Sequence, residues 1–170
     1  MSGVDPVRLA RLLDEQGPVL ELFARQWCRS PGDVVQEAFL QLVRQPAWPE
    51  NVVAWLYTVV RNGAMTANRA ERRRTRHETE AAEQSPEWFV QHEGTAVDAD
   101  TATQALASVP LDEREVIVAH LWGGLSFEDV AVLVGTSSST AHRRYQTGLA
   151  HLREELEVPC RKTTKRLKNS

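Results

Sequence analysis

The stretch Gly135–Tyr145, GTSSSTAHRRY, follows SFEDVAVLV (Ser126–Val134), and its reading decides the fold of the C-terminal half of the chain. A run of small hydroxyl residues after a glycine marks a turn, yet the residues beyond it return to helical spacing. Ser126 is placed to cap a helix, with Asp129 three residues on, and Phe127, Val130, Ala131 and Val134 share one face. Gly135 makes the turn. In the following TSSSTAHRRYQTGLAHLREEL the apolar set is Ala141, Tyr145, Leu149, Leu152 and Leu156, which leaves Ser138, Ser139, His142, Arg143 and Gln146 pointing away from the core. The pattern predicts a helix-turn-helix, whose second helix carries hydroxyl, amide and guanidinium donors on its exposed N-terminal half. Such donors add to the backbone N–H groups and the positive end of the helix dipole. Arginine can bridge guanine O6 and N7, glutamine can pair with adenine, and serines let the helix seat deeply. Two packed helices with a solvated polar face would give the same local signals.

Upstream of this unit, DTATQALASV and LDEREVIVAHLW are amphipathic, and Gly123-Gly124 ends the second as a helix stop. The N-terminal half predicts three more helices. Leu9, Leu12, Leu13, Val19, Leu20, Leu22, Phe23 and Trp27 define the first, with a break expected at Gly17-Pro18. The second starts near Pro31 to Asp33, where Val34, Val35, Ala38, Phe39, Leu42 and Val43 recur at helical spacing. After the loop RQPAWPEN, Asn51 is placed to cap the third, VVAWLYTVVRNGAMTANRAERRR. On that helix Trp55, Leu56, Val59, Val60 and Gly63 are expected to be buried. Asn62, Thr66, Arg69 and Arg73 fall at i, i+4, i+7 and i+11 on another stripe.

The net charge of −3 over 170 residues argues against a nucleic-acid binder until its distribution is counted. Residues 1–76 hold 11 Lys/Arg against 8 Asp/Glu, residues 77–103 hold none against 7, and residues 104–170 hold 9 against 8. The acidity is concentrated in the middle. That middle segment, rich in Ala, Thr and Glu, reads as a linker with too little apolar surface to offset the entropy of ordering it. No long apolar run is present, and Asp5, Arg8 and Arg11 stand where a signal peptide would need a greasy core, so a cytoplasmic protein without membrane insertion is expected. Cys28 and Cys160 lie far apart with no CxxC and no histidine at ligand spacing, so neither a metal site nor another cofactor is expected. His77, His92, His120, His142 and His151 are scattered, and no catalytic residue or enzyme activity is expected.

Taken together, DVVQEAFLQLVR, then WLYTVVRN, then an arginine-rich helix end, and later REVIVAHLWGGLSFEDVAVLVGTSSSTAHRRYQTGLAHLRE resemble a bacterial RNA polymerase sigma factor of the extracytoplasmic-function (ECF) class. The resemblance covers roughly residues 8–76 and 101–156. It implies an all-α chain with two small helical domains: a region-two bundle at 1–76, an acidic linker at 77–103, a region-four helix-turn-helix domain at 104–157 and a basic tail at 158–170. The partners it implies are core RNA polymerase, promoter DNA and an anti-sigma factor.

By the same resemblance, Asp33, Gln36, Glu37, Phe39 and Leu40 would meet the largest polymerase subunit. The loop QPAWPEN would capture a non-template base, with Trp48 either stacking on that base or packing beneath it. Asn62, Thr66 and Arg69 would line the groove, and Arg72, Arg73, Arg74 and Arg76 would meet phosphates. Ser138, Ser139, His142, Arg143 and Gln146 would face the upstream element, with Thr140 and Arg144 serving phosphates or the helix start. The chain departs from the pattern at Thr66, where family members commonly have aspartate. It departs again at Gln146, Thr147, Leu149 and His151, where they often carry lysine or arginine. Two further features fall outside the pattern: SPEWF at Ser85–Phe89 in the acidic segment, read as a local cluster or a channel anchor, and the tail CRKTTKRLKNS. The acidic segment could also mimic nucleic acid and shield the DNA-binding helices. The alternative is a helix-turn-helix regulator that binds an operator as a dimer without polymerase, which leaves the Asp33–Arg44 helix and the arginine-rich helix without a role. A helical adaptor that touches no DNA, with Arg143 and Arg144 merely solvated, is a third reading.

Overall fold

The computed structural model describes residues 5–78 and 104–164. The Ser85–Phe89 motif and most of the acidic segment, together with its expected shielding role, lie outside the described residues. Among those residues the secondary structure is helical: α1 (Pro6–Ala24), α2 (Pro31–Arg44), α3 (Val52–Glu78), α4 (Leu111–Ile117), which runs on as a π-helical turn (Val118–Trp122), α5 (Phe127–Val134) and α6 (Ser138–Thr164). A short helical stretch at 104–108 precedes α4.

The helix starts follow from capping chemistry. The Asp5 carboxylate accepts from the Val7 amide at 3.0 Å, with Pro6 in the first helical position where no N–H is needed. Asn51 Oδ1 accepts from the Ala54 amide at 3.1 Å and starts α3 as expected. Ser126 Oγ accepts from the Asp129 amide at 3.1 Å, and Ser137 Oγ accepts from the Thr140 amide at 3.2 Å. The hydroxyl that caps α6 is therefore Ser137. Gly135 ends α5 in the left-handed conformation, φ 71°, and the Thr136 amide reaches back to the Ala131 carbonyl at 2.9 Å.

One expectation fails in the first helix. α1 runs unbroken through Gly17-Pro18. Pro18 cannot donate to the Asp14 carbonyl, but both residues are exposed, so water can satisfy that oxygen, while the buried Gly17, Leu20, Phe23 and Ala24 hold the helix to the core. The expected stripe of α3 is also rotated. Leu56, Tyr57, Val60 and Ala64 are buried, whereas Trp55, Val59 and Gly63 are half-buried.

α1, α2 and α3 pack into the first bundle. Phe23 lies edge-on to both Trp27 and Tyr57, with ring centroids 5.0 and 4.9 Å apart. α4, α5 and α6 form the second bundle, where α6 approaches α4 so closely at Gly148 that a Cβ there would come within 2.6 Å of Ile117 Cδ1. The two bundles also meet. A single apolar cluster runs from Leu20, Phe23 and Tyr57 through Val116, Ile117 and Val130 to Ala141. α1 packs on the π-helical turn, and α3 packs on α5.

Candidate functional site

Three helix faces carry the residues singled out from the sequence, and the structure treats them differently. On α2, Asp33, Gln36, Glu37 and Leu40 are exposed, and Val43 one turn further is exposed too. Glu37 accepts from Gln41 at 3.4 Å and pairs with Arg44 at 3.6 Å. Phe39 is only 7% exposed and belongs to the core. It is not presented to a partner, because its position on α2 aligns with Val35 and Leu42 rather than with Gln36 and Leu40.

On α3, Asn62, Thr66, Arg69, Arg72, Arg73, Arg74 and Arg76 are all exposed. The Thr66 hydroxyl donates to the Asn62 carbonyl at 2.8 Å, which binds the two polar residues of this face into one local unit. Arg73 donates to the Arg69 carbonyl at 3.4 Å. No carboxylate is paired with Arg69, Arg72, Arg73, Arg74 or Arg76 among the described residues; the nearest acid on the helix, Glu71, is taken by Arg29 at 3.3 Å. Trp48, in the loop before α3, is half-buried against the core, with the Arg8 guanidinium 4.6 Å above its ring.

On α6, Ser139, His142, Arg143 and Gln146 are exposed, while Ser138, Thr140 and Arg144 are half-buried. Thr140 is engaged by the Ser137 hydroxyl at 2.9 Å, and Arg144 pairs with Asp112 of α4 at 3.4 Å. The His142 ring stands edge-on to Phe127, 4.9 Å between centroids, so it is steered as well as exposed. Behind it, His120 stacks on Phe127 at 4.0 Å and aims Nδ1 at the Leu125 carbonyl, 2.7 Å away. This cluster fixes the angle between α5 and α6 that seats the exposed face.

The contacts between the two bundles had no signal in the sequence. Arg61 of α3 donates to both carboxylate oxygens of Glu115 of α4, through Nε and, at 3.4 Å, through Nη2. Glu115 is nearly fully buried. Burial pushes its carboxyl above the ordinary range, and the hydrogen bond and charge of Arg61, helped by the charge of Arg144, pull it part of the way back. Asn51 Nδ2 donates to Asp129 at 3.2 Å, so the residue that caps α3 also holds the carboxylate that receives the Ser126 hydroxyl at the start of α5. The Tyr57 hydroxyl is buried without a hydrogen-bond partner among the described residues, and a Cβ at Gly123 would lie 2.4 Å from it. Burial raises its phenol above the ordinary value.

Among the described residues, no group of His, Cys, Asp and Glu is arranged to hold a metal ion, and no helix is long and apolar enough to cross a membrane.

The comparisons with known proteins agree with this geometry. Residues 100–152 match the family model described as Sigma-70, region 4. That span includes α4, α5, the glycine turn and the exposed half of α6. The chain shares its fold with the sigma factor RpoE from Bartonella quintana, solved in complex with the anti-sigma factor NepR. The TM-score is 0.71 and the identity 25%, over 88% of this chain and 96% of that one. It is also similar in fold to CnrH, solved with the cytosolic domain of CnrY, at a TM-score of 0.58 and 21% identity over 91% of this chain and 90% of that one. No curated protein matches it in sequence. The resemblance read from the sequence is borne out: the described residues are all helical, with the fold of a sigma factor and a region-four helix-turn-helix.

Proposed function

We propose that this protein is an ECF-type sigma factor, which binds core RNA polymerase, carries it to a narrow set of promoters and starts transcription there. The observation that carries this reading is the match of the helix-turn-helix half to sigma region four within a fold that aligns along 88% of the chain with a sigma factor. A dimeric operator-binding regulator accounts for α5 and α6 but not for the fold of α1–α3.

In this reading residues 1–76 act as region two, 77–103 as the connection and 104–157 as region four. Asp33, Gln36, Glu37 and Leu40 form the face offered to polymerase: an acid–amide row with one exposed apolar anchor beside it suits a basic helical partner. Phe39 supports that face from below. Asn62, Thr66 and Arg69 line the path of the downstream element, and Arg72, Arg73, Arg74 and Arg76 neutralise phosphates. Ser139, His142, Arg143 and Gln146 read the upstream element in the major groove, with Ser138 and Thr140 shaping the helix start and Arg144 near the backbone. Trp48 braces the loop ahead of α3. Promoter opening draws on binding energy, and the polymerase supplies the chemistry, so the protein acts without a catalytic residue of its own and in the cytoplasm. An anti-sigma factor is the partner class expected to hold it inactive, as NepR is found with RpoE.

Co-elution with bacterial core RNA polymerase tests this. Wild type is expected to co-elute stoichiometrically, and a Gln36→Ala/Leu40→Ala variant with unchanged helicity is expected to lose the complex. Failure of the wild type to co-elute with its cognate core would overturn the assignment.

A further inference from the structure

His120, His142 and His151 all belong to the second bundle, and their surroundings differ. His151 is committed to Glu113 of α4, with Nδ1 2.6 Å from the carboxylate. His120 is committed too: a carbonyl only accepts, so its Nδ1, 2.7 Å from the Leu125 oxygen, carries a proton. His142 has neither kind of partner. Among the described residues it makes ring contact alone, edge-on to Phe127 at an interplanar angle of 81°. Phe127 is itself clamped, with His120 stacked on it and Tyr145 edge-on at 5.5 Å. The His142 imidazole is thus steered by a fixed aromatic neighbour while both of its nitrogens are left for a ligand.

Position decides what that ligand is. His142 is exposed beside Ser139, Arg143 and Gln146, in the N-terminal half of α6 that the proposed function sets in the major groove. Guanine presents two acceptors there, O6 and N7, whereas adenine and cytosine each present a donor. A neutral imidazole has one donor and one acceptor, so it can serve any of the three; a charged one has two donors and no acceptor. The charged ring therefore gains a charge-assisted bond to guanine and loses the bond from adenine N6 or cytosine N4. The charged groups of the surrounding elements leave the choice of state to the DNA. Arg143 adjoins the ring on α6, and Arg144 is paired with Asp112 of α4. On α5 the Asp129 carboxylate is engaged by Ser126 and Asn51, and Glu128 is exposed. No carboxylate pairs with the imidazole among the described residues. Phosphates and a guanine edge, both negative, favour its charged form.

We propose that His142 is a proton-dependent base reader: charged, it selects guanine at one position of the upstream element, and neutral, it admits adenine or cytosine there as well. The set of promoters bound then shifts with pH across the range in which an imidazole changes charge. This rests on the reading of α6 as a DNA-recognition helix. The sign follows from proton uptake. The guanine complex holds more protons than the free protein, so its affinity rises as pH falls and is lost as pH rises.

The test enriches DNA from a pool randomised over the upstream element, using the full chain with core RNA polymerase, at about pH 6 and about pH 8. Affinities are then compared among single-base variants at each enriched position, as ratios, which cancel any general response of the polymerase to pH. One position is expected to favour guanine over adenine about five- to tenfold more at the lower pH, within the roughly tenfold per pH unit that one proton allows. His142→Gln puts a neutral donor and acceptor at an exposed site, so helicity should be unchanged, and the pH dependence of that ratio is expected to vanish. Equal ratios at both pH values in the wild type overturn the proposal. So does a pH-dependent ratio that survives His142→Gln. Enrichment of no upstream element at either pH overturns the recognition-helix reading and the proposal with it, so the two failures are told apart.

Discussion

In the proposed reading the basic end of α3 and the exposed half of α6 both meet nucleic acid, yet they are built on different principles. Arg69, Arg72, Arg73, Arg74 and Arg76 follow one another along α3 with no carboxylate partner among the described residues, so this face is a band of positive charge. On α6 the second of two adjacent arginines is committed to Asp112, and what remains outward is one guanidinium, an imidazole held against Phe127, an amide and hydroxyls. A charge band attracts phosphates whatever the sequence, whereas a short array of directional donors distinguishes bases. On the proposed function, the difference would give affinity mainly to the first half and discrimination mainly to the second. Under the proposed function it also explains how a helix-turn-helix half poor in Lys and Arg could serve, since it would act tethered to a polymerase already bound by the first half.

The largest effect is expected from removing the charge band. Arg72→Ala/Arg73→Ala/Arg76→Ala should weaken binding of the polymerase complex to every promoter it selects. It should also lower the steepness of the salt dependence by about 2–3 units of log Kd per log salt, at about 0.9 for each lost phosphate contact. None of the three side chains is buried, so helicity should be unchanged. Binding measured across a salt series checks this, and an unchanged slope would move the phosphate path elsewhere.

A smaller and more selective loss is expected on α6. Arg143→Ala should cost about 1–3 kcal/mol at the upstream element and relax the preference at one position there, with little change in salt slope. Competition among single-base variants of a promoter selected by the polymerase complex reads this directly. A loss equal on all sequences would make Arg143 a phosphate contact and erase the contrast with α3.

Local features were readable in the sequence because their causes are local. Asn51, Ser126 and Gly135 stand within a few residues of the amides and carbonyls they satisfy, so a capping residue followed by an apolar period locates a helix without knowledge of the rest. The exposed faces of α2, α3 and α6 were likewise legible, being what remains when the apolar stripes are set inward. Pro18 was misjudged for the opposite reason: whether a proline breaks a helix depends on what the buried side of that helix packs against. Periodicity put Phe39 on the apolar stripe of α2, where it lies, and only the family resemblance offered it to a partner; on α3 the buried stripe came out one position off, so Tyr57 was left out of it. Tertiary contact set the rotation of α3, with Tyr57 buried against Phe23. The pairs Arg61–Glu115 and Asn51–Asp129 are 54 and 78 residues apart in sequence and have no periodic signature. One long separation, closed by the fold, produced the part of the molecule that the sequence did not announce.

The finest test of the contrast lies between neighbours on α6. Arg144 is held by Asp112 in a pair whose side chains are 31% and 57% exposed, so it is partly screened and worth little to the fold. Arg144→Ala should therefore lower stability by about 0.2–1 kcal/mol, visible as a small shift in thermal unfolding, and leave base preference as it was. The informative partner variant is Asp112→Ala, which frees Arg144 without removing it. If α6 is restrained in its charge because this arginine is engaged, the freed guanidinium should steepen the salt dependence of upstream-element binding by about one unit, the share of one additional phosphate contact. If the slope does not move, Arg144 lies out of reach of the backbone even when free. The directional donors then carry that face with Arg143 as its one guanidinium, and the division of labour between the two helices is sharper than their charges alone imply.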